Sequence, residues 1–525
     1  MTELPTTVLP APQPEKGKGI PFREILALVC ILAVAAGLRC FRLSSESLWY
    51  DEIASVQYLD LPAFYQFFHQ ERLIDPAAVP VYFWMEYQWW HWVSASETGL
   101  RALSILFGLL TVLLLWYAGR MLFGSTCGLF AAWCLAFAQL HIYQSQEIRM
   151  YALMYLFALA SMVAVNQAVT KNRPLWWAAH FIASAFLVWT HVFGVLVLVA
   201  QGLWLLWTWR RRPLRIMGWG TAQLVYLLPL AVWVQGFDSR LVDEHVSWQT
   251  VPGWSALGKV FYAVLPGAFL DADPLLWRTS VVGISSLGAG ALVWAAALWA
   301  FVARSQSTPG DASQTKWPSA DPLSLLLLWC VTPVLILFFV SITLRPCFVE
   351  RYFGHCAFPL LLVAGAGFAR IPKRWRLGAA VAITLAFAGT LGAMDRPLRP
   401  DLRGAARHVD AHFRDNETVY LRDPFNTGLA FRYYAALPDE RIVIGEDFIE
   451  LAVRDIREGR GTWIVHTPPG KSGQQTIKEG AREGGMRVDS VRLPGRRPLL
   501  VMHVAHHKKT GRGASKRRSA VSPAE

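Results

Sequence analysis

Three short stretches of this sequence carry the residue types that could perform chemistry, and two adjacent carboxylates lead the first. Asp51 and Glu52 follow Trp49-Tyr50 in SLWYDEIASV, shortly after the apolar run 25–37. Carboxylates at the end of a membrane helix are costly unless water, a partner or a function holds them there. Such groups can transfer protons or bind hard cations.

The second stretch is a tight polar corner, LHIYQSQEIRMYALM, at residues 140–154. It holds Glu147, Arg149 and Tyr151, and helical spacing puts Glu147 and Tyr151 on one face. The alternative is an Arg–Glu pair that only anchors a helix end. Farther along, WTHVFG places His191 near the end of another apolar segment, where a histidine is either an interfacial residue or part of a site.

The third stretch, TLRPCFVERYFGHCAFPLL, holds Arg345, Glu350, Arg351 and Tyr352. Two guanidinium groups beside a helix start suit an anion, because arginine binds phosphate in a bidentate manner and the helix dipole adds to the attraction. The alternative is that these arginines extend to lipid headgroups. Ionisable clusters recur on only one predicted face of the membrane, which favours a site.

The composition indicates what kind of molecule positions these residues. Of 525 residues, 54% are hydrophobic and 17% are charged, whereas soluble domains carry about 25% charged residues. A polytopic membrane protein is therefore expected. The net charge of +13 requires no nucleic acid, because basic residues accumulate in cytoplasmic loops. The sequence has neither a Walker motif nor a CxxC pair, so direct ATP use and zinc-knuckle chemistry are not indicated.

A membrane-spanning helix needs about 20 apolar residues, and about eleven segments of the sequence qualify. They lie near 23–41, 99–121, 124–142, 150–169, 174–191, 192–209, 216–235, 278–303, 321–344, 352–371 and 376–394. Basic loops such as 171–173, 210–215 and 372–376 should be cytoplasmic. The three stretches described above then face the extracytoplasmic side.

The predicted fold is mainly α: a polytopic helix bundle with a small C-terminal extracytoplasmic α/β domain. Short β-branched runs alternate with helical patterns after residue 394, which is typical of such a domain. Cys347 and Cys356 flank one outer loop, and whether they pair is open. The predicted organisation is a disordered cytoplasmic tail (1–22), a transmembrane domain (23–394) whose first outer loop is 42–98, the α/β domain (395–505) and a basic disordered tail (506–525).

Four segments resemble the polytopic GT-C glycosyltransferases, in particular those related to protein O-mannosyltransferases and to the enzymes that add aminoarabinose or galacturonic acid to lipid A. The segments are LWYDEIAS, the apolar run 96–124, the corner LHIYQSQEIRMYAL, and RYFGHCAFPLLLVAGAG after Glu350. The resemblance extends over roughly residues 20–395. One feature departs from the family: DPAAVPVYF has Asp75 where members often have His-Pro-Pro, so the acceptor side of the site is in doubt.

The resemblance implies sugar transfer from a polyprenyl- or dolichyl-phosphate donor to an acceptor hydroxyl, with inversion and without a covalent intermediate. Asp51 would be the general base, with Glu52 in support. Arg149, Arg345 and Arg351 would bind the leaving phosphate, with Glu147, Tyr151, His191, Glu350 and Tyr352 lining the site. Asp51, Glu52 and Glu147 could hold a divalent metal.

The sugar and the acceptor (lipid, glycan or protein) stay open, and the expected location is a bacterial inner or plasma membrane. A secondary transporter and an inactive envelope-assembly protein are the alternatives. Transporters place their sites near the bilayer midplane and in repeated halves, which the sequence does not indicate.

Overall fold

The structure is a computed structural model. It describes residues 19–75, 78–236, 249–265, 281–305, 322–394, 399–422, 427–466, 471–494 and 499–506. The chain forms two compact units: the first comprises Met1–Ser45 and Ala54–Arg396, and the second comprises Glu46–Ile53 and Pro397–Glu525. The short piece 46–53, part of the predicted first outer loop, thus belongs to the same unit as the C-terminal region.

The described part of the first unit is helical. Its helices are α1 (Phe22–Cys40), α2 (Tyr50–Val56, which begins in the second unit), α3 (Phe64–Ile74), α4 (Pro80–Trp92), α5 (Glu97–Phe123), α6 (Ser125–Ala136), α7 (Gln139–Ser145), α8 (Tyr151–Lys171), α9 (Pro174–Thr190), α10 (Val195–Thr208), α11 (Pro213–Gln235), α12 (Ser255–Ala263), α13 (Val281–Ser305), α14 (Pro322–Thr343), α15 (Ala357–Phe368) and α16 (Lys373–Thr390).

Four of these helices (α5, α8, α11 and α14) are long and apolar enough to cross a membrane, and a fifth span results if α6 and α7 count as one bent span. The boundaries of α5 show how the sequence sets such a helix. The Ser96 side chain accepts a hydrogen bond from the Gly99 amide at its start, and Gly124 follows its end with a φ of 94°. Helices occur at all eleven predicted segments, and the apolar helices mark the chain as an integral membrane protein.

Several of the predicted spans are not single α-helices, among them 124–142 and 352–371. The segment 124–142 is broken into α6 and α7, which are bent by 66°. The carbonyls of Leu135 and Ala136, at the break, accept hydrogen bonds from the buried Arg39 guanidinium at 3.4 and 3.3 Å. The segment 352–371 begins as a 3₁₀ helix, Glu350–Cys356, before α15. Both irregularities lie beside stretches with candidate site residues.

The second unit contains a five-stranded sheet in the order β2-β1-β3-β5-β4. The strands are β1 (Thr418–Leu421), β2 (Ile442–Ile444), β3 (Thr462–His466), β4 (Met486–Leu493) and β5 (Leu499–His506). The first three run parallel, and β5 pairs antiparallel with both β3 and β4. Its helices are α17 (Leu402–Asp410), α18 (Leu429–Tyr434), α19 (Phe448–Arg457) and α20 (Lys471–Glu483).

The core of the second unit lies between one face of this sheet and the helices α19 and α20. Tyr420, Ile464 and Met502 project from the sheet, and Phe448 and Ile456 project from α19. Alternating residues of each strand thus supply this apolar layer, as expected for a sheet covered by helices. The mixed α/β pattern after residue 394 therefore forms the sheet that the sequence indicated.

Candidate active site

Arg149 lies at the centre of a buried ion-pair cluster in the first unit. It belongs to the corner between α7 and α8, and its side chain is almost inaccessible to solvent. Nη2 donates to Asp75 Oδ2 at 2.8 Å, and Nη1 donates to Ser55 Oγ at 2.9 Å. A second carboxylate, Glu71, approaches Nη1 at 3.7 Å. Two buried carboxylates therefore compensate the charge of Arg149.

This cluster gives a role to Asp75, the residue at which the sequence departs from the family it resembles. Asp75 directly follows α3 and accepts from Arg149, while Glu71 lies on the last turn of the same helix. Arg149 thereby links the corner before α8 to the helix α3 of the first loop. These ion pairs support an anchoring role for Arg149, and its phosphate-binding role stays a prediction.

Four rings, three aromatic and one imidazole, lie close together near the first residue of α8. The ring of His191 lies 5.8 Å from Tyr151 and 5.2 Å from Tyr352, measured between centroids. Phe193 lies 4.9 Å from Tyr352 and 5.4 Å from His191. His191 Nδ1 accepts a hydrogen bond from the Phe193 amide at 3.2 Å, which fixes the imidazole. Three predicted site residues are thus brought together.

Arg351 adds a guanidinium group to this ring cluster. Its Cζ lies 5.5 Å from the centroid of the Tyr151 ring, within the range of a cation–π contact. The carbonyl of Arg351 accepts a hydrogen bond from the Tyr155 hydroxyl at 2.5 Å. A Cβ at Gly354 would overlap the Tyr155 ring, so glycine at this position lets the 3₁₀ helix approach α8 closely enough to make that bond.

The remaining predicted residues of the first unit occupy the borders of these clusters. Glu147 is fully buried within the corner before α8. Arg345 and Glu350 are half-buried on the segment that joins α14 to the 3₁₀ helix, and the Arg345 amide donates to the Val340 carbonyl at 3.2 Å. Direct contacts hold together a group of predicted residues composed of Tyr151, His191, Arg351 and Tyr352, here called the ring cluster.

Asp51 and Glu52 belong to the second unit. Both lie in the first turn of α2, where Asp51 is half-buried and Glu52 is fully buried. The Glu52 carboxylate forms an ion pair with the Arg399 guanidinium and accepts a hydrogen bond from the Trp49 amide at 3.4 Å. The charge of Glu52 is compensated within its own unit, so the structure distinguishes the two adjacent acids by environment.

A divalent metal held by Asp51, Glu52 and Glu147 stays a prediction. Among the residues that the structure describes, no group of three or more His, Cys, Asp or Glu side chains is arranged to hold a metal ion.

The two loop cysteines do not form a disulfide. Both thiols are free, and each has its own partner. Cys347 contacts the Ser341 hydroxyl at 3.3 Å, and Cys356 Sγ lies 3.7 Å from the Trp329 carbonyl. Each thiol is thus held by local hydrogen bonding.

Sequence reasoning missed a buried polar network at the break between α6 and α7. Arg39 Nη2 lies 2.9 Å from His141 Nδ1, and Nε donates to Ser145 Oγ at 3.3 Å. Gln146 donates to the Arg39 carbonyl at 2.9 Å. The signal was an arginine at the end of the first apolar run, which is costly unless the protein satisfies it. This network fixes the corner that carries Glu147 and Arg149.

Comparison with known proteins agrees with this architecture. Residues 76–234 match the family model of the Dolichyl-phosphate-mannose-protein mannosyltransferases. No curated protein sequence matches the chain. Two crystal structures of ArnT from Cupriavidus metallidurans share its fold. The apo state has a TM-score of 0.52 and 15% identity and covers 91% of this chain and 98% of its own.

The second ArnT structure is bound to undecaprenyl phosphate. It has a TM-score of 0.51 and 15% identity, and the match covers 90% of this chain and 97% of the other. Similarity at this level of identity establishes the fold, and the family model independently matches α4 to α11. The resemblance noted in the sequence thus agrees with the family model over residues 76–234 and with the fold of the two ArnT structures.

Proposed function

We propose that this protein transfers a sugar from a polyprenyl-phosphate donor to an acceptor hydroxyl on the extracytoplasmic face of a bacterial inner membrane. The shared fold supports the proposal, since a solved structure with this fold binds undecaprenyl phosphate. A donor dissolved in the bilayer needs no nucleotide-binding domain. That agrees with a sequence that has no Walker motif.

The observation that carries the proposal is the ring cluster with its guanidinium group. Arg351 lies over Tyr151, and His191 and Tyr352 complete the cluster. Aromatic rings provide a surface for an apolar or sugar-bearing ligand, and arginine binds phosphate in a bidentate manner. The leaving phosphate gains negative charge as the glycosidic bond breaks, and a positioned cation stabilises that charge. We assign this role to Arg351, because its guanidinium lies against the Tyr151 ring within the ring cluster.

Asp51 is the proposed general base. In a single displacement, the acceptor oxygen attacks the anomeric carbon and its proton passes to the Asp51 carboxylate. The bond between that carbon and the phosphate oxygen breaks, and the electron pair leaves with the lipid phosphate. Glu52, whose charge is paired with Arg399, is better suited to hold the local structure than to accept a proton.

The donor role is tested by measuring binding of a radiolabelled polyprenyl-phosphate sugar to the purified full chain in lipid nanodiscs. Arg351→Ala should weaken binding about 10- to 100-fold, the value of a charge-assisted hydrogen bond. The control is Arg374→Ala, which changes an exposed arginine in the loop predicted to be cytoplasmic. Unchanged donor affinity in Arg351→Ala would assign this arginine to the lipid headgroups instead.

The base is tested by sugar transfer to acceptors in membranes from a strain without the gene. Asp51→Asn should lower the transfer rate by about 10²- to 10⁴-fold while donor binding persists. Transfer at the wild-type rate by that variant would remove Asp51 from the mechanism. Failure of the unmodified chain to bind any polyprenyl-phosphate sugar would leave the transporter or assembly readings.

A further inference from the structure

The piece of chain that carries Asp51 and Glu52 is held by residues far along the sequence. Within the second unit, the Leu48 amide donates to the Tyr434 hydroxyl at 2.8 Å. The Arg403 amide donates to Ser47 Oγ at 3.1 Å, and its guanidinium donates to the Glu46 carbonyl at 2.9 Å. Ser47 and Leu48 are almost completely buried. Residues 46–53 are therefore docked through backbone groups of Glu46 and Leu48 and through the Ser47 hydroxyl.

The charged part of this docking is a cluster around Arg399, with Glu46, Trp49 and Glu52. The guanidinium forms an ion pair with the fully buried Glu52 carboxylate, and its Nε lies 3.8 Å from Glu46 Oε2. Its Cζ lies 5.4 Å from the centroid of the Trp49 ring. Arg399 is itself largely buried, with 9% of its side chain exposed. Removing one partner of such a buried ion pair is strongly destabilising, because it leaves an uncompensated buried charge.

The segment 46–53 docks against the first residues of α17, which form its docking surface. Asp401 accepts a hydrogen bond from the Gly404 amide at 2.8 Å and so caps the helix. The same Oδ1 atom accepts from the Ser47 hydroxyl at 3.3 Å. One carboxylate thus fixes the beginning of α17 and the segment that leads into α2. The segment is consequently attached to a helix end that is itself fixed.

We propose that Arg399 is a positioning residue that sets the orientation of Asp51 through its ion pair with the adjacent Glu52. This inference rests on the proposed function, in which Asp51 is the base. Displacement of a reacting group by about 1 Å can cost about 10²-fold in rate. The second unit thereby contributes to turnover through its hold on the acidic pair.

The test compares Arg399→Ala, Arg399→Lys and Glu52→Gln in the full chain. Arg399→Ala should lower kcat about 10²-fold and leave the KM for the donor unchanged, since the donor site lies in the first unit. Arg399→Lys should recover part of kcat, because the charge is kept while the planar guanidinium with its several donors is lost. Glu52→Gln should resemble Arg399→Ala. The control is Arg422→Ala, an exposed arginine whose ion pair with Glu446 lies at the surface.

Hydrogen exchange of residues 46–53 provides a readout that does not depend on activity. The amides of this segment should be protected in the full chain and exchange at least 10-fold faster in Arg399→Ala, while β3 is unchanged. A segment that exchanges freely in the unmodified chain would overturn the inference, as would an Arg399→Ala variant with wild-type kcat. If the chain proves to lack sugar transfer, the proposed function fails. Faster exchange in the variant would then still support the docking role of Arg399.

Discussion

Two arginines that the sequence treated alike occupy different environments. Arg149 has two buried carboxylates and a serine hydroxyl as partners, whereas Arg351 lies over an aromatic ring next to His191 and Tyr352. We therefore propose that Arg149 holds the corner through these ion pairs and that Arg351, within the ring cluster, is the partner of the donor.

Replacing Arg149 should reduce stability more than it reduces the intrinsic reaction. Arg149→Ala leaves Asp75 and Glu71 as buried charges without their cation, which costs about 3–5 kcal/mol. We expect the midpoint of thermal unfolding, measured in detergent by tryptophan fluorescence, to fall by several degrees. Adding Asp75→Asn should recover part of the loss. A thermally stable Arg149→Ala variant that no longer binds donor would return Arg149 to the phosphate site.

The close contact at Gly354 yields a second prediction at this scale. Gly354→Ala places a methyl group against the Tyr155 ring and should cost about 1–3 kcal/mol. It should also weaken donor binding, because the bond that fixes the Arg351 carbonyl is displaced. Tyr155→Phe is the matched variant, because it removes the hydroxyl that donates to the Arg351 carbonyl and keeps the ring. The double variant Gly354→Ala/Tyr155→Ala should regain stability by opening space. If Gly354→Ala binds donor normally, Arg351 does not depend on this contact.

At the scale of elements, the regular part of the structure could be predicted and the irregular part could not. Apolar length was enough to locate helices such as α5 and α8, because a membrane requires about 20 apolar residues. The break between α6 and α7 has no proline, and it depends on Arg39, which is distant in sequence and satisfies the freed carbonyls. Tertiary hydrogen bonding of this kind leaves no local pattern.

The candidate site was likewise predictable in part. Residue type and the predicted topology placed Tyr151, His191, Arg351 and Tyr352 on one face, and the structure brings their side chains into contact. The partners of Arg149 and Glu52 could not be read in advance, because Asp75 and Arg399 are separated from them by long stretches of chain. Pairing at such distances depends on how helices pack, which composition does not encode.

Protonation of Glu417, the residue directly before β1, should destabilise the sheet of the second unit. Glu417 accepts from Trp463 Nε1 at 2.7 Å and from His503 Nε2 at 2.9 Å. Burial alone raises the pKa of Glu417, but these hydrogen bonds outweigh it, so the pKa lies below its ordinary value of 4.5. The stabilisation is therefore complete above about pH 4.5 and is lost as the pH falls through the folded-state pKa.

We expect hydrogen exchange in β3 and β5, corrected for intrinsic rates, to accelerate as the pH falls below about 4.5. Glu417→Gln should exchange faster at neutral pH and lose this pH dependence, because the amide stays neutral throughout. Asp489→Asn, on the exposed strand β4, is the control. If Glu417→Gln keeps the same acid response, that response belongs to another titrating group.

At the scale of the whole molecule, the second unit is assembled from two pieces of chain. Residues 46–53 and the C-terminal region form one compact unit, and the first unit occupies the chain between them. A chain that ends at Met394 should insert into the membrane but leave residues 46–53 without their docking surface. We expect protease cleavage in this segment and no sugar transfer, whereas the full chain resists cleavage there. Protection of 46–53 in the shortened chain would contradict this.

The separation between Glu52 and Arg399 has a consequence for synthesis. The two residues are 347 positions apart, and at about 5–20 residues per second the ribosome needs roughly 20–70 seconds to make the interval. During that time the acidic pair has already been translated while its docking surface does not exist. Closing so long a loop carries an entropic cost, but that cost grows only slowly with length. An unfinished chain therefore has an acidic pair that is not yet positioned, and under the proposed function we expect no sugar transfer until Arg399 has been added.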